Sequence, residues 1–523
     1  MIERNNHLQH GLSRRRFILL AGGVGAAAVA TACGSGTSTT TAVGSDASAV
    51  TAAENARRTG TGRTVPVTLR ARPERIDLGG IVVDTWAYDG RVPGPEIRAR
   101  RGDVLSVDFV NDLPDESTVH WHGIALRNDM DGVPGLTQAT VRPGDSFRYE
   151  FTVPDAGTHW FHPHVGMQLD RGLYAPLIVE DPDDGADYDL EAVLVLDDWL
   201  DGVAGTPDEQ LATLRREGMP GMSGMDHGAR GGMGMGGMGM GGMGMGGMGM
   251  RADPGNPLGT DAGDVNYPYY LINGRTVLDP VTVAGRPGQR IRLRIVNAAA
   301  DTAFRFAVGG HRMTVTHSDG YRVEPLEAES VLISMGERFD VTVTLGDGAF
   351  PIVASAEGKN GHALAVLRTG AGETPGPDAR PTELTANPVT GAQLRAPADV
   401  RLAVRAPDRT HDLILGMEMS GYTWTVNGET YGDHTPLEVT EGERVRLRFV
   451  NGTMMFHPMH VHGHTYQVVD RSGAGARKDT SLVLPGQTVE VDLDATNPGQ
   501  WMIHCHNLYH GEAGMMTVLS YVD

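Results

Sequence analysis

Cysteine is almost missing from this 523-residue chain: there are two, Cys33 and Cys505. So few exclude the disulfide framework that staples small secreted domains. A cysteine that stands alone deep in an exported chain then needs another reason, and metal ligation supplies one. Cations are also scarce, with 44 Lys and Arg against 65 Asp and Glu and a formal charge of −21. An acidic surface repels phosphates, which excludes nucleic acid as a partner. It concentrates cations instead, beside the plainer gain in solubility. The apolar stretch Ile18 to Ala32 is too short and too rich in Ala and Gly to serve as a membrane span.

What is present points to a large β protein. A hydrophobic content of 40% supports real cores, and 71 Gly with 30 Pro favour loop-rich β structure over helices. The length suits three or four domains. Residues 1–32 read as an address: Ser13-Arg14-Arg15-Arg16-Phe17-Ile18 carries the twin-arginine pattern ahead of the apolar stretch. Such signals export proteins already folded, which suits one that must acquire a cofactor first. Cys33, after Ala30-Thr31-Ala32, is a candidate lipidation site. The expected location is the cell envelope or periplasm, with a lipid anchor to the outer face of the cytoplasmic membrane as the only membrane attachment. If Cys33 carries lipid, Cys505 has no disulfide partner. Residues 33–63 are expected to be a flexible linker.

Three segments share one pattern. Gly102 to Asn111, Gly288 to Asn297 and Gly442 to Asn451 each place the asparagine nine residues after the glycine, with apolar and polar residues alternating between them. That alternation is the period-two signature of a strand with one buried face. A second landmark recurs: Gly144 precedes Gly157 by 13 residues, Gly486 precedes Gly499 by 13, and Gly336 precedes Gly348 by 12. The chain therefore reads as all-β, with three consecutive β-sandwich domains at 64–182, 265–370 and 400–523 and a linker at 205–264. His120 lies nine residues after Asn111 and His460 nine after Asn451; His162 lies five after Gly157 and His504 five after Gly499. Phe306 and Val353 hold the matching places of the middle repeat. The first and third domains thus carry the chemistry, and the middle one is expected to fix their mutual orientation.

Four His-x-His pairs occur: His120-Trp121-His122, His162-Pro163-His164, His460-Val461-His462 and His504-Cys505-His506. On a strand, residues two apart face the same way, so each pair offers two imidazoles together. Eight convergent imidazoles suit copper, and such a cluster can hold several ions. If His504 and His506 face the cluster, Cys505 points to the other side of its strand. There a thiolate, His457, His510 and a weak axial Met515 would form a blue-copper site. The two sites are then joined through adjacent covalent bonds.

In these motifs the chain resembles the multicopper oxidases, the family of laccases and cuprous oxidases. The motifs are His-Trp-His-Gly at 120–123, His-Pro-His at 162–164, His457 to Gly463, and His504-Cys505-His506 through His510 to Met515. The overall pattern is most similar to actinobacterial copper-resistance lipoprotein oxidases. The resemblance implies cupredoxin-like Greek-key sandwiches and four copper ions per chain. His457, Cys505, His510 and Met515 would be type 1 ligands and His120 and His460 type 2 ligands. His122, His162, His164, His462, His504 and His506 would hold the type 3 pair. Dioxygen is the implied acceptor, reduced to water by a chain acting as a monomer. Asp131, nine residues beyond His122, matches an acid the family uses near the cluster, and a solvated turn carboxylate is the competing reading. The acid that often follows the last type 1 histidine is replaced by Gly511, and Glu512 is the candidate substitute. His159, His311, His317, His362, His411 and His434 lack partners at ligand spacing, and His464 is expected to support its neighbours at most.

Eleven of the 24 methionines fall in 219–250, among them Met233, Met235, Met238 and Met240, without any Leu or Ile. So much Gly excludes a packed core or a helix and implies a disordered Met/Gly-rich insertion. Thioethers favour Cu(I), so this run would capture extra Cu(I); a linker grown by repeat slippage is the rival reading. Met454 and Met455 precede His457 where copper-oxidising relatives place methionines, but Thr453 stands where those relatives carry an acid. Of the two, Met455 is the expected copper ligand, and core packing competes as the explanation for Met454. The expected reaction is oxidation of Cu(I) to Cu(II), contributing to copper tolerance. Oxidation of phenols or aromatic amines is the runner-up, and copper sequestration without turnover a third reading.

Overall fold

The alternation read in the three repeats becomes three equivalent strands, Val104–Asn111, Arg290–Asn297 and Arg444–Asn451. Each lies between an earlier parallel strand and a later antiparallel one. The parallel neighbours are Thr64–Asp77, Leu190–Trp199 and Arg409–Met417. The antiparallel ones are Ser146–Thr152, Arg338–Thr344 and Thr488–Asp494. This computed structural model describes residues 41–58, 60–181, 184, 187–218, 257–418 and 421–523. The leader at 1–32, Cys33, and Met233, Met235, Met238 and Met240 lie outside those residues.

The invariant ends of the repeat have physical causes. Gly102, Gly288 and Gly442 sit at φ of 83°, 84° and 89°, where a side chain would strain the turn before the strand. Each closing asparagine satisfies three backbone groups, two in the loop that follows and one on a later segment. Asn451 donates its amide to the carbonyls of Met455 and Val483 and accepts from the Thr453 N–H. Asn111 does the same for Asp115, Val141 and Leu113, and Asn297 for Thr302, Ile333 and Ala299. The repeat thus encodes one buried polar bracket used three times.

Around these strands the chain builds three cupredoxin-like sandwiches, the first of two four-stranded sheets and the others each of a six- and a five-stranded sheet. The middle domain begins earlier than the expected 265. Leu190–Trp199 pairs with Arg290–Asn297 from Leu190↔Ile291 to Leu196↔Asn297 and belongs to its sheet. Its long apolar run, buried on both faces, gives no alternation to separate it from the preceding domain. The expected linker 33–63 also needs correction. Ser48–Arg57 is a helix that buries Val50 and Glu54, and the Glu54 carboxylate accepts from Thr152 through its N–H and hydroxyl. Alanine-rich sequence favours helix there. Within 205–264, Pro207–Glu217 is a helix opened by a Thr206–Glu209 capping box, a local signal the Gly-rich neighbourhood obscured. Leu258 is fully buried, so that end of the expected linker is core.

The first and third domains meet across paired amide contacts. Asn497 donates to the carbonyls of Leu126 and Gly463, and Asn128 exchanges hydrogen bonds with the backbone of Gln500. These hold the two histidine-bearing edges face to face.

Replacing Asn451 by Ala should cost about 1–3 kcal/mol for each carbonyl left without a donor. Calorimetry should show a lower unfolding temperature, with the analogous changes at Asn111 and Asn297 behaving alike. An unchanged melting temperature in all three would refute the bracket.

Candidate metal centre

Two matched strand pairs carry the histidines. His120–His122 runs against Gly157–His162 with His120 opposite His162, and His457–Val461 runs against Gln500–Cys505 with His460 opposite His504. The pairs face each other across the domain seam, so that His120 stacks on His462 and His122 on His460, both at 3.8 Å between ring centres. The glycines ending the two motifs serve packing. A Cβ on Gly123 would lie 2.3 Å from Arg338, and one on Gly463 would lie 2.1 Å from the Trp501 ring.

The ring nitrogens gather into small sets with mutual separations within 4.8 Å. The sets are His120, His122 and His460; His122, His162 and His506; and His164, His462 and His504. Hydrogen bonds decide which nitrogen of each ring stays free. His120 donates Nδ1 to the Asp131 carbonyl, His162 to that of Pro163, His460 to that of Asp479 and His504 to that of Cys505. His462 gives Nδ1 to the Asp131 carboxylate, so in all five rings Nε2 is left buried with no partner. His122 is reversed: Nε2 meets Asp479 at 3.1 Å and Nδ1 is the orphan. An unpaired buried polar atom costs about 1–3 kcal/mol, so a cluster of them is sustained only if something binds there. Burial, followed by the field of neighbouring imidazoles, holds His122, His162, His164, His462, His504 and His506 well below the ordinary histidine range. Their lone pairs are therefore free at neutral pH. Neutral imidazoles in such sets fit transition-metal ions of the copper type.

Cys505 faces away from this cluster. Its Sγ lies 3.6 Å from His457 Nδ1 and 3.7 Å from His510 Nδ1, which are 3.1 Å apart. All three are fully buried, and burial pushes the thiol pKa up. Met515 is buried beside them. Its N–H donates to the His510 carbonyl and its carbonyl accepts from the Cys505 N–H, tying it to both. The far edges of the rings are also held. His457 Nε2 donates to Thr453 Oγ1 at 2.8 Å, and His510 Nε2 meets Asp264 at 3.1 Å. Asp264 also accepts from the Tyr422 hydroxyl, and the Trp424 ring covers His510 at 4.0 Å. A soft sulfur with two imidazoles suits copper again.

Asp131 is fully buried and joins the domains, reaching His120 Nδ1 at 3.2 Å with one oxygen and His462 Nδ1 at 2.9 Å with the other. Asp479, which carries no motif, plays the matching part on the opposite side. Arg338 of the middle domain grips it with two hydrogen bonds of 2.7 and 2.6 Å and donates a third to the Thr158 carbonyl of the first domain. Burial alone would raise the Asp479 carboxyl, but the Arg338 charge, together with hydrogen bonds from Arg338, His122 and His460, outweighs it and holds the group well below the usual range. A fixed anion therefore aims His122. Arg338 touches all three domains, so the middle one contributes to the site directly as well as orienting its neighbours. His159 has neither ring nitrogen paired and sits beside this junction.

Glu512 is partly buried at a cavity of about 500 Å³ that reaches His164. Burial raises its carboxyl to about 7 despite Arg215 nearby. The methionines before His457 exchange their expected roles. Met455 is 1% exposed and belongs to the core, whereas Met454 is 52% exposed. Met455 lies two residues before the inward-facing His457 and so takes the inward side. Sequence reasoning missed Asp479, Arg338 and Asp264, the last placed in a supposed linker.

Models described as multicopper oxidase match residues 71–184, 254–372 and 404–523. The chain is 48% identical to "Multicopper oxidase MmcO" of Mycobacterium tuberculosis, over 98% of this chain and 97% of that protein. It is 28% identical to "Copper resistance protein A" of Escherichia coli, over 84% and 90%. Among solved structures, a multi-copper oxidase from Pseudomonas thermotolerans superposes with a TM-score of 0.64 at 27% identity, covering 88% of this chain and all of that one.

Changing Asp479 to Asn should weaken metal binding at the imidazole cluster about 10–100-fold. The visible absorption of a thiolate-bound metal at Cys505 should persist. Metal analysis after dialysis against a graded chelator checks this, and equal retention in variant and wild type would sink the role.

Proposed function

Because the chain belongs to the multicopper oxidase family, dioxygen-using oxidoreductases that carry copper, we propose that it holds four copper ions and oxidises Cu(I) to Cu(II). His457, Cys505 and His510, with Met515 as weak axial ligand, are assigned the type 1 ion. His120 and His460 take the type 2 ion. His122, His162 and His506, with His164, His462 and His504, take the type 3 pair. Copper bound in these places supplies one-electron acceptance at the thiolate end and four-electron reduction of dioxygen to water at the imidazole end.

The chain's own residues supply geometry and protons. The two ligand sets share the backbone of residues 504–506, and Asp131 and Asp479 keep the free nitrogens aimed inward. We assign proton delivery to Asp131 and Glu512 by position, Asp131 against two ligand rings and Glu512 at the cavity reaching His164.

The observation that carries the Cu(I) reading is the exposed thioether of Met454, next to Thr453, whose hydroxyl meets His457 Nε2. A soft donor at the solvent edge of the sulfur site recruits cuprous ion better than a harder cation. The Met-rich run at 219–250 supports the same reading from sequence, as does the name of the copper resistance relative. The twin-arginine pattern at 13–18 and Cys33 support a reaction at the cell envelope, where removing Cu(I) would contribute to copper tolerance.

Steady-state oxidation of Cu(I) and of a phenol, measured on the full chain, on a 219–250 deletion and on Met454→Leu, tests this. Each change should lower kcat/KM for Cu(I) about tenfold, ~1.4 kcal/mol of transition-state stabilisation, and leave phenol oxidation unaltered. Unimpaired Cu(I) turnover in both variants, with strong phenol activity free of added copper, would favour a laccase-like enzyme. Copper uptake without continuous oxygen consumption would favour sequestration.

A further inference from the structure

The ions of the imidazole cluster have to get in. Seven of the eight paired histidines are 6% exposed or less, and only His164 is more open. His164 lines the cavity of about 500 Å³, and a smaller pocket of about 20 Å³ lined by His162, His504 and His506 shares His164, Glu512 and Met516 with it. The two together run from solvent to the buried ring nitrogens.

The strand register sets what an ion meets on that route. Met516 lies directly opposite His504 across the pair Gln500–Cys505 and Met516–Tyr521. Met502 lies two residues before His504 and therefore on the same face. Both thioether side chains line the larger cavity and pack with Val133, while the adjacent Met515 goes to the Cys505 side. Leu or Ile would fill such a wall as well, but methionine adds a soft, weak and exchangeable donor.

We propose that Met502 and Met516 form a transit site for Cu(I), through which the imidazole cluster is loaded. The inference rests on the copper assignment above and adds a second thioether site, remote in role from Met454. Transfer is ligand exchange: a sulfur–copper bond breaks as the His504 Nε2–copper bond forms, and copper stays cuprous throughout. His504 keeps its proton on Nδ1 against the Cys505 carbonyl, so Nε2 binds as a neutral lone pair and no proton is released.

The test is reconstitution of the full-length, copper-stripped chain with a cuprous acetonitrile complex without oxygen, followed by aeration. Copper per chain, the blue thiolate band and the near-ultraviolet shoulder of the cluster are read against loading time. In Met502→Leu/Met516→Leu the cluster should fill about tenfold more slowly with Cu(I), a barrier change of ~1.4 kcal/mol. Its final copper content should match wild type, and the blue band should return at the wild-type rate, reporting an intact fold. Loading with Cu(II) should be equally fast in both. Equal Cu(I) rates, or equal slowing with both ions, would overturn the transit site and leave the two methionines as packing. If the double variant does not fold, Ag(I) is added to wild-type holoprotein labelled at its methionine methyls. Shifted Met502 and Met516 resonances support the site, and unmoved ones overturn it. A wild-type chain that never gains the near-ultraviolet shoulder would instead sink the four-copper assignment, and this inference with it.

Discussion

The molecule depends on the two-residue period of one strand. His504, Cys505 and His506 alternate in direction, so a single stretch of backbone serves two ligand sets at once. The pairing of that strand fixes everything adjacent: His460 opposite His504, Met459 opposite Cys505, Met516 opposite His504 on the other side. A slip of one residue would exchange the sulfur with an imidazole and empty both sets. Pairing on both sides, with His457–Val461 and with Met516–Tyr521, holds the strand against that slip.

A second constraint acts between domains. The imidazole sets are completed only across the seam, and the seam is held by charge as well as by packing. Arg338 spans the three sandwiches, and the buried Lys478 reaches Asp319 and Glu337 from the third domain to the second. Buried pairs of this kind add little net stability against apolar substitutes, but breaking one partner leaves an expensive orphan. Their value here lies in direction: Asp479 can accept from His122 only while Arg338 keeps it ionised and still.

Much of this was legible in the linear chain because it is local. Histidines two apart, a glycine and an asparagine nine apart, and strict alternation all report strand geometry without reference to partners. Arg338 and Asp479 are separated by 141 residues and meet by docking, which no local period records. Asp264 escaped because the Gly-rich run before it masked the return of the chain to the core. The exchange of Met454 and Met455 is a lesson in parity: counting back by twos from His457 puts Met455 inside and leaves Met454 outside, the reverse of the expectation that Met455 binds metal and Met454 packs in the core.

The two ligand sets differ in how much of the chain they need. His457, Cys505, His510 and Met515 all come from the last sandwich, with Asp264 only capping the edge. The imidazole sets draw on segments from His120 to His506 and exist only when distant parts have docked. On the proposed copper assignment, injury to the seam would therefore separate colour from catalysis: a damaged molecule would keep a metal at the sulfur and lose the place where oxygen would be consumed.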